Sequence, residues 1–197
     1  MIYTRVVVTI IGISGSLRQG SYNTALLRAG AAMMPPDSRL EVRTIGGIPL
    51  YDADEEAERG IPAAVTALKE AIAAADGLLF ATPEYNNSMP GVAKNAVDWL
   101  SRPPADAARV FAGKPVAIAG ASPGGFGTLL SQNAWLPVWR TLGADLWAGG
   151  RMAVSRAGAV FGPDGAIHDG AVNEALRKFL EGFVAYARTR PKAAGRA

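Results

Sequence analysis

The residues best equipped to do chemistry lie in Gly15-Ser16-Leu17-Arg18-Gln19-Gly20-Ser21-Tyr22-Asn23-Thr24, directly behind the apolar run Val6–Ile13. Gly15 permits a tight turn, and Ser16, Ser21 and Thr24 supply hydroxyl donors. The free N–H groups opening the next helix aim at the same place. Arg18 adds a charged fork that matches a phosphate. The plainer alternative is a strand-to-helix turn in which Ser21 or Asn23 caps the helix. Arg18 inside the turn favours an anion site.

Two further loops carry polar and glycine residues in useful density. In Thr82-Pro83-Glu84-Tyr85-Asn86-Asn87-Ser88-Met89-Pro90-Gly91, two prolines stiffen the backbone and Tyr85 offers an aromatic plane with a polar tip. Its alternative is an ordinary turn with Tyr85 on the surface and Asn86 or Ser88 capping the next helix. In Ala121-Ser122-Pro123-Gly124-Gly125-Phe126-Gly127, small residues let backbone N–H groups come close to a ligand. Neither this loop nor the first has Walker A or dinucleotide-fingerprint spacing.

Elements must now be found that hold these loops. The run ending at Ile13 is β-branched and continuously apolar, as a parallel strand covered on both faces would be. Periodicity and punctuation predict a strand over Arg5–Ile13, a helix from Ser21 to Met34 stopped by Pro35-Pro36, and a strand around Leu40–Ile45. A loop with Pro49, Tyr51 and the acidic stretch Asp52–Glu58 follows, its charges read as a solvated face, and then a helix from Pro62 to Ala75. Strand Gly77–Thr82, helix Pro90–Ser101, strand Pro115–Gly120, a helix within Thr128–Leu142, a strand around Trp147–Val154 and a helix over Ala171–Arg188 complete the chain. This alternation implies an α/β fold, a doubly wound five-stranded parallel sheet with helices on both faces. A single domain is expected over residues 1–190, with a short basic tail over 191–197. Ligands of such sheets sit outside the carboxyl ends of the strands, and the three loops leave three of those ends. A mononucleotide carrying a flat ring suits that arrangement.

Composition removes several alternatives. Zero cysteines exclude disulfides, thiolate metal sites and cysteine nucleophiles. A net charge of +3 without a basic block suits anionic small molecules better than nucleic acid. No secretory signal or membrane span is visible, so a cytoplasmic protein is expected. His168 sits in a turn-like stretch and is assigned no role, and no metal site is expected. A strongly acidic docking face, as a flavodoxin-like electron carrier would need, is missing from this basic chain. The carboxylate cluster of a phosphoryl-accepting receiver is missing from Gly12-Ile13-Ser14-Gly15.

Gly15-Ser16-Leu17-Arg18-x-Gly20-Ser21-x-Asn23, Pro83-Glu84-Tyr85-Asn86-x-Ser88-x-Pro90-Gly91-x-x-Lys94-Asn95-Ala96-x-Asp98-Trp99 and Ala121-Ser122-Pro123-Gly124 together resemble the NADPH-dependent FMN reductase family of flavodoxin-like fold. Within it the chain looks most like bacterial quinone and chromate reductases and the related azoreductases. The resemblance spans about Val6 to Arg151. It implies FMN, with the phosphate held around Ser16, Arg18, Ser21, Asn23 and Thr24. It also implies an isoalloxazine ring framed by Pro83, Glu84, Tyr85, Asn86 and Ser88 and by Ser122, Gly124 and Gly125. NADPH or NADH would be the electron donor, and quinones, chromate, azo compounds or ferric chelates the acceptors. No side chain need act as nucleophile or base, because hydride chemistry belongs to the flavin. Apolar residues surround most of the helix within Thr128–Leu142, more than one face on the sheet can use, so the remainder either lies under another part of the chain or meets a second subunit. The family's habit of pairing through helices after the third and fourth strands implies a homodimer or homotetramer.

Overall fold

Val8, Ile10, Ile11 and Ile13 are each no more than 3% exposed, so the first strand is covered on both faces, which is why its apolar run does not alternate. The computed structural model describes residues 7–190. The expected strand positions Arg5 and Val6 and the tail from Pro191 to Ala197 lie outside the described residues. Among the described residues the strands are β1 (Val8–Ser14), β2 (Ser38–Thr44), β3 (Gly77–Ala81), β4 (Pro115–Ala121), β5 (Asp145–Leu146) and β6 (Met152–Val154). All pairings are parallel, in the order β2-β1-β3-β4-β5, with β6 also on β4. The sheet is doubly wound, and its order reverses between β1 and β3.

Helices α1 (Tyr22–Ala32) and α8 (Gly170–Arg188) cover one face, burying Leu26, Leu27, Leu180 and Phe183 against Ile10, Leu79 and Ala119. The other face is covered by α3 (Ala63–Ala74), α4 (Gly91–Leu100), α5 (Pro104–Phe111) and α6 (Leu129–Thr141). There Trp135 and Trp139 stack at 5.5 Å and both meet the edge of Phe80. Each of the three rings is fully buried. Aromatic packing of this kind adds about 0.5–1.5 kcal/mol per pair beyond the area buried. It fixes α6 on β3 and β4, and so fixes the loops at their ends.

Four stretches differ from the sequence reading. The acidic stretch after Asp52 is a helix, α2 (Ala53–Arg59), with no buried residue. The Asp52 carboxylate accepts from Asp54 N–H, Asp54, Glu55 and Glu56 fill the first turn and Arg59 the last, so capping and helix-dipole charges make the helix without an apolar face. Between Ser101 and Pro115 lies α5, opened by Pro103-Pro104 and anchored by buried Val110 and Phe111. The short α7 (Ala157–Val160) is likewise new. The strand expected around Trp147–Val154 is broken: Trp147 N–H still donates to Val116 O at 2.9 Å, residues 148–151 then leave the sheet before β6, and the Trp147 ring packs edge-on against Phe179 at 5.1 Å. Helix α6 continues through Pro137.

Candidate active site

The first loop leaves β1 at Ser14. Gly15 N–H donates to Ala81 O at 2.9 Å, which carries the β1–β3 pairing one step past the strand end. Ser21 is the N-cap of α1, its hydroxyl oxygen accepting from Thr24 N–H at 3.3 Å. Ser16 Oγ accepts from Arg18 N–H at 3.2 Å in the same way. Both hydroxyls therefore keep their own protons available for an anion. The Arg18 guanidinium is exposed, donates to Gly20 O and lies 5.2 Å over the Tyr22 ring. Tyr22 in turn stacks on Phe161. Thr24 Oγ1 and Ser14 Oγ are hydrogen-bonded at 2.8 Å, turned inward from the loop.

Asn23 does something the sequence did not announce. Its side-chain N–H donates to Ala121 O at 3.0 Å, and its carbonyl oxygen accepts from Ala121 N–H at 2.9 Å. The amide thus reads both backbone groups of the last β4 residue and clips α1 to the start of the third loop. Asn23 is only 3% exposed.

The second loop leaves β3 at Thr82, whose N–H donates to Ala119 O. Tyr85 and Ser88 exchange two backbone hydrogen bonds, while Asn86 and Asn87 stand at φ 50° and 60°. This is the geometry of a type I′ turn, and the Asn86-Asn87 pair is the sequence signal that would have found it. Neither Asn86 nor Ser88 caps α4, whose N-cap is Pro90. Tyr85 projects into solvent, 48% exposed. The Glu84 carboxylate turns toward α6 and accepts from Leu130 N–H at 2.9 Å and Ser131 N–H at 3.1 Å.

In the third loop Ser122 is buried and Pro123 to Phe126 are exposed. Ser122 N–H donates to Val154 O, and Gly124 O accepts from Arg156 N–H, so β6 and α7 brace the loop from behind. Its last residues are conformationally unusual: Gly127 at φ 57° and Thr128 at φ 72° are both left-handed. Thr128 is β-branched and fully buried there, a strained arrangement held by its surroundings. It fits only because Gly120 has no side chain, since a Cβ there would fall 1.9 Å from Thr128 Oγ1.

The three loops are mutually adjacent. A Cβ on Gly15 would meet Pro83 Cδ at 3.3 Å, Asn23 ties the first loop to the third, and Glu84 ties the second to the helix behind the third. They meet around the β1/β3 switch point, where folds of this order bind their ligands. Side chains placed on Gly20, Gly91 or Gly125 would meet nothing within 4 Å. Each of the three loops thus has an open backbone position. Amide N–H groups, serine hydroxyls and a guanidinium suit a phosphate, and the exposed backbone with the tyrosine plane suits a flat, hydrogen-bonding ring, so these residues fit FMN.

The sequence model described as NADPH-dependent FMN reductase matches residues 8–159. The chain belongs to that family. An NAD(P)H-dependent FMN reductase of Pseudomonas aeruginosa is 43% identical over 181 residues, covering 92% of this chain and 96% of the relative. A 2-hydroxy-1,4-benzoquinone reductase of a Burkholderia species is 39% identical, covering 90% and 95%. Among solved structures, a flavoenzyme NAD(P)H:(acceptor) oxidoreductase from Paracoccus denitrificans superposes with a TM-score of 0.82 at 30% identity, covering 93% of this chain and 99% of that one. The chain is an oxidoreductase working with FMN and a reduced nicotinamide. Among the described residues no cluster of potential metal ligands occurs, and no helix is long and apolar enough to cross a membrane.

Proposed function

We propose that this reductase takes a hydride from NADPH or NADH and delivers two electrons to a quinone. The supporting observation is the convergence of three loops, one rich in phosphate donors and two of bare backbone, at the β1/β3 switch point. When bound, FMN supplies a hydride acceptor at its N5 and the route by which electrons pass onward. The balance is simple: reduced nicotinamide, one proton and a quinone become oxidised nicotinamide and a hydroquinone.

The chain's own residues bind and orient. Ser16, Arg18 and Ser21 hold the phosphate with hydroxyl and guanidinium donors, helped by the N–H groups that open α1. Asn23 and Thr24 support that loop from beneath through their bonds to Ala121 and Ser14. Pro83, Glu84, Asn86 and Ser88 set the backbone on one side of the ring, and Ser122, Gly124 and Gly125 on the other. Tyr85 lines the open face. Chromate, azo compounds and ferric chelates, all reducible at an accessible flavin, are further candidate acceptors. The protein acts as a single domain over residues 1–190, in the cytoplasm and as a homo-oligomer.

The test is the visible spectrum of the purified protein before and after anaerobic addition of NADPH. A yellow protein bleached by NADPH and recoloured by benzoquinone is expected, and heat release followed by chromatography should yield FMN. Failure to bind flavin on titration overturns the proposal.

A further inference from the structure

Helix α6 begins without a capping side chain of its own. Its N-cap, Thr128, makes no side-chain cap bond and instead accepts from Gln132 Nε2 at 3.1 Å. The acceptor for the first turn comes from another part of the chain, the Glu84 carboxylate, whose Oε2 takes both Leu130 N–H and Ser131 N–H. The neighbouring Thr82 hydroxyl meets Ser131 Oγ at 2.9 Å and accepts from Trp135 Nε1 at 3.0 Å. The second loop is thus docked on the first turns of α6 through Thr82 and Glu84, and the third loop runs directly into the same helix end. A helix N-terminus carries about half a unit of positive charge, and a carboxylate there cancels it.

We propose that Glu84 tunes the bound flavin. Its charge cancels the positive end of α6 beside the ring-side loops, so that this end does not favour the reduced cofactor, whose added electrons bring negative charge. Its two hydrogen bonds hold the second and third loops in register. The inference rests on the reading that the ring lies between those loops.

Glu84→Gln separates the charge from the contacts, because an amide oxygen accepts the same two N–H groups. The flavin-loaded variant is expected to hold FMN and to show a higher midpoint potential in an anaerobic dye-coupled titration. Reduced FMN should gain three- to tenfold over oxidised FMN in relative affinity, a shift of about 15–30 mV for a two-electron couple. Glu84→Ala loses charge and contacts together, so its potential rises likewise and oxidised FMN binds at least tenfold more weakly by fluorescence titration. A purely structural role would leave the potential of Glu84→Gln at the parent value, and that result, a fall in potential, or loss of flavin from this variant overturns the proposal. If Glu84→Ala does not fold, the glutamine variant decides alone. A parent protein that takes up no FMN overturns the site reading, and the tuning role with it.

Discussion

Replacing Asn23 with alanine should cost stability before it costs flavin. The side chain is buried and its amide satisfies both Ala121 N–H and Ala121 O, at 2.9 and 3.0 Å, across a separation of 98 residues. Alanine leaves both backbone groups without partners in a dry part of the fold. An abandoned buried donor or acceptor costs about 1–3 kcal/mol, so the pair should cost about 2–4 kcal/mol, the lower end applying if water enters the space vacated. That is a large share of the roughly 5–15 kcal/mol that holds a domain together. For a chain of this size the melting temperature should fall by roughly 5–15 °C. The assay is urea unfolding of flavin-free protein followed by tryptophan fluorescence. Asn23→Asp sharpens the test. Its carboxyl would be buried against the Ala121 carbonyl, which raises its pKa. A raised acid stabilises least where the unfolded state is ionised, so this variant's deficit should grow as pH climbs from about 4 toward the raised value. If flavin-free Asn23→Ala unfolds within about 0.5 kcal/mol of the parent, the clip is not the support described, since abandoned buried groups cost more.

Arg18→Ala should behave oppositely, leaving flavin-free stability near the parent while weakening FMN binding by about 1.5–3 kcal/mol, roughly ten- to a hundredfold, as for a charge-assisted hydrogen bond. Equal affinity by fluorescence titration would make the first loop a helix cap alone. Nicotinamide and quinone should use one open ring face in turn, so initial-rate plots against quinone at several NADPH concentrations should be parallel; intersecting lines would require both bound at once. Far from the site, hydrogen bonds from the Arg102 guanidinium and the Tyr51 hydroxyl hold the Glu56 carboxyl below its ordinary range. Its stabilising effect is therefore present above the unfolded value of about 4.3 and fades as pH drops through the depressed folded value. Glu56→Gln should flatten the acid limb of a melting-temperature profile, and a parent-like slope would count against that ion pair. Light scattering at micromolar concentration should give a dimer or tetramer, and a monomer at 20.5 kDa would refute the packing argument without touching the flavin.

The fold was legible where apolar periodicity and turn residues agreed. The covered β1 run, the Pro35-Pro36 stop and the glycine-bearing loops gave the alternation of strands and helices and the end of the sheet at which to look. What was missed has local physical causes. Helix α2 buries nothing and exists by its caps and charges, so an apolar-face criterion passes over it. The fifth strand is interrupted beyond Trp147, where Gly149 and Gly150 lie against the Trp147 ring packed on Phe179 and Phe183, a tertiary contact that no local pattern carries. At the site, the hydroxyls and Arg18 could be nominated by type, whereas the partners of Asn23 and Glu84 lie 98 and 46 residues away. The left-handed Thr128 has no sequence signal at all, because β-branched residues avoid that conformation.

The interruption of the sheet beyond β4 also bears on how copies of the chain can meet. An edge strand with a long run of unpaired backbone invites another strand to pair with it. Here β5 offers two residues and β6 three, separated by a detour, so no incoming strand can keep register along that side. At the opposite side β2 carries Arg39, Glu41 and Arg43 in alternation, joined to one another as ion pairs. An added strand would have to settle beside that row of charges. Both margins therefore discourage sheet extension, while on the helical side Leu130 and Leu136 of α6 stand 36% and 46% exposed.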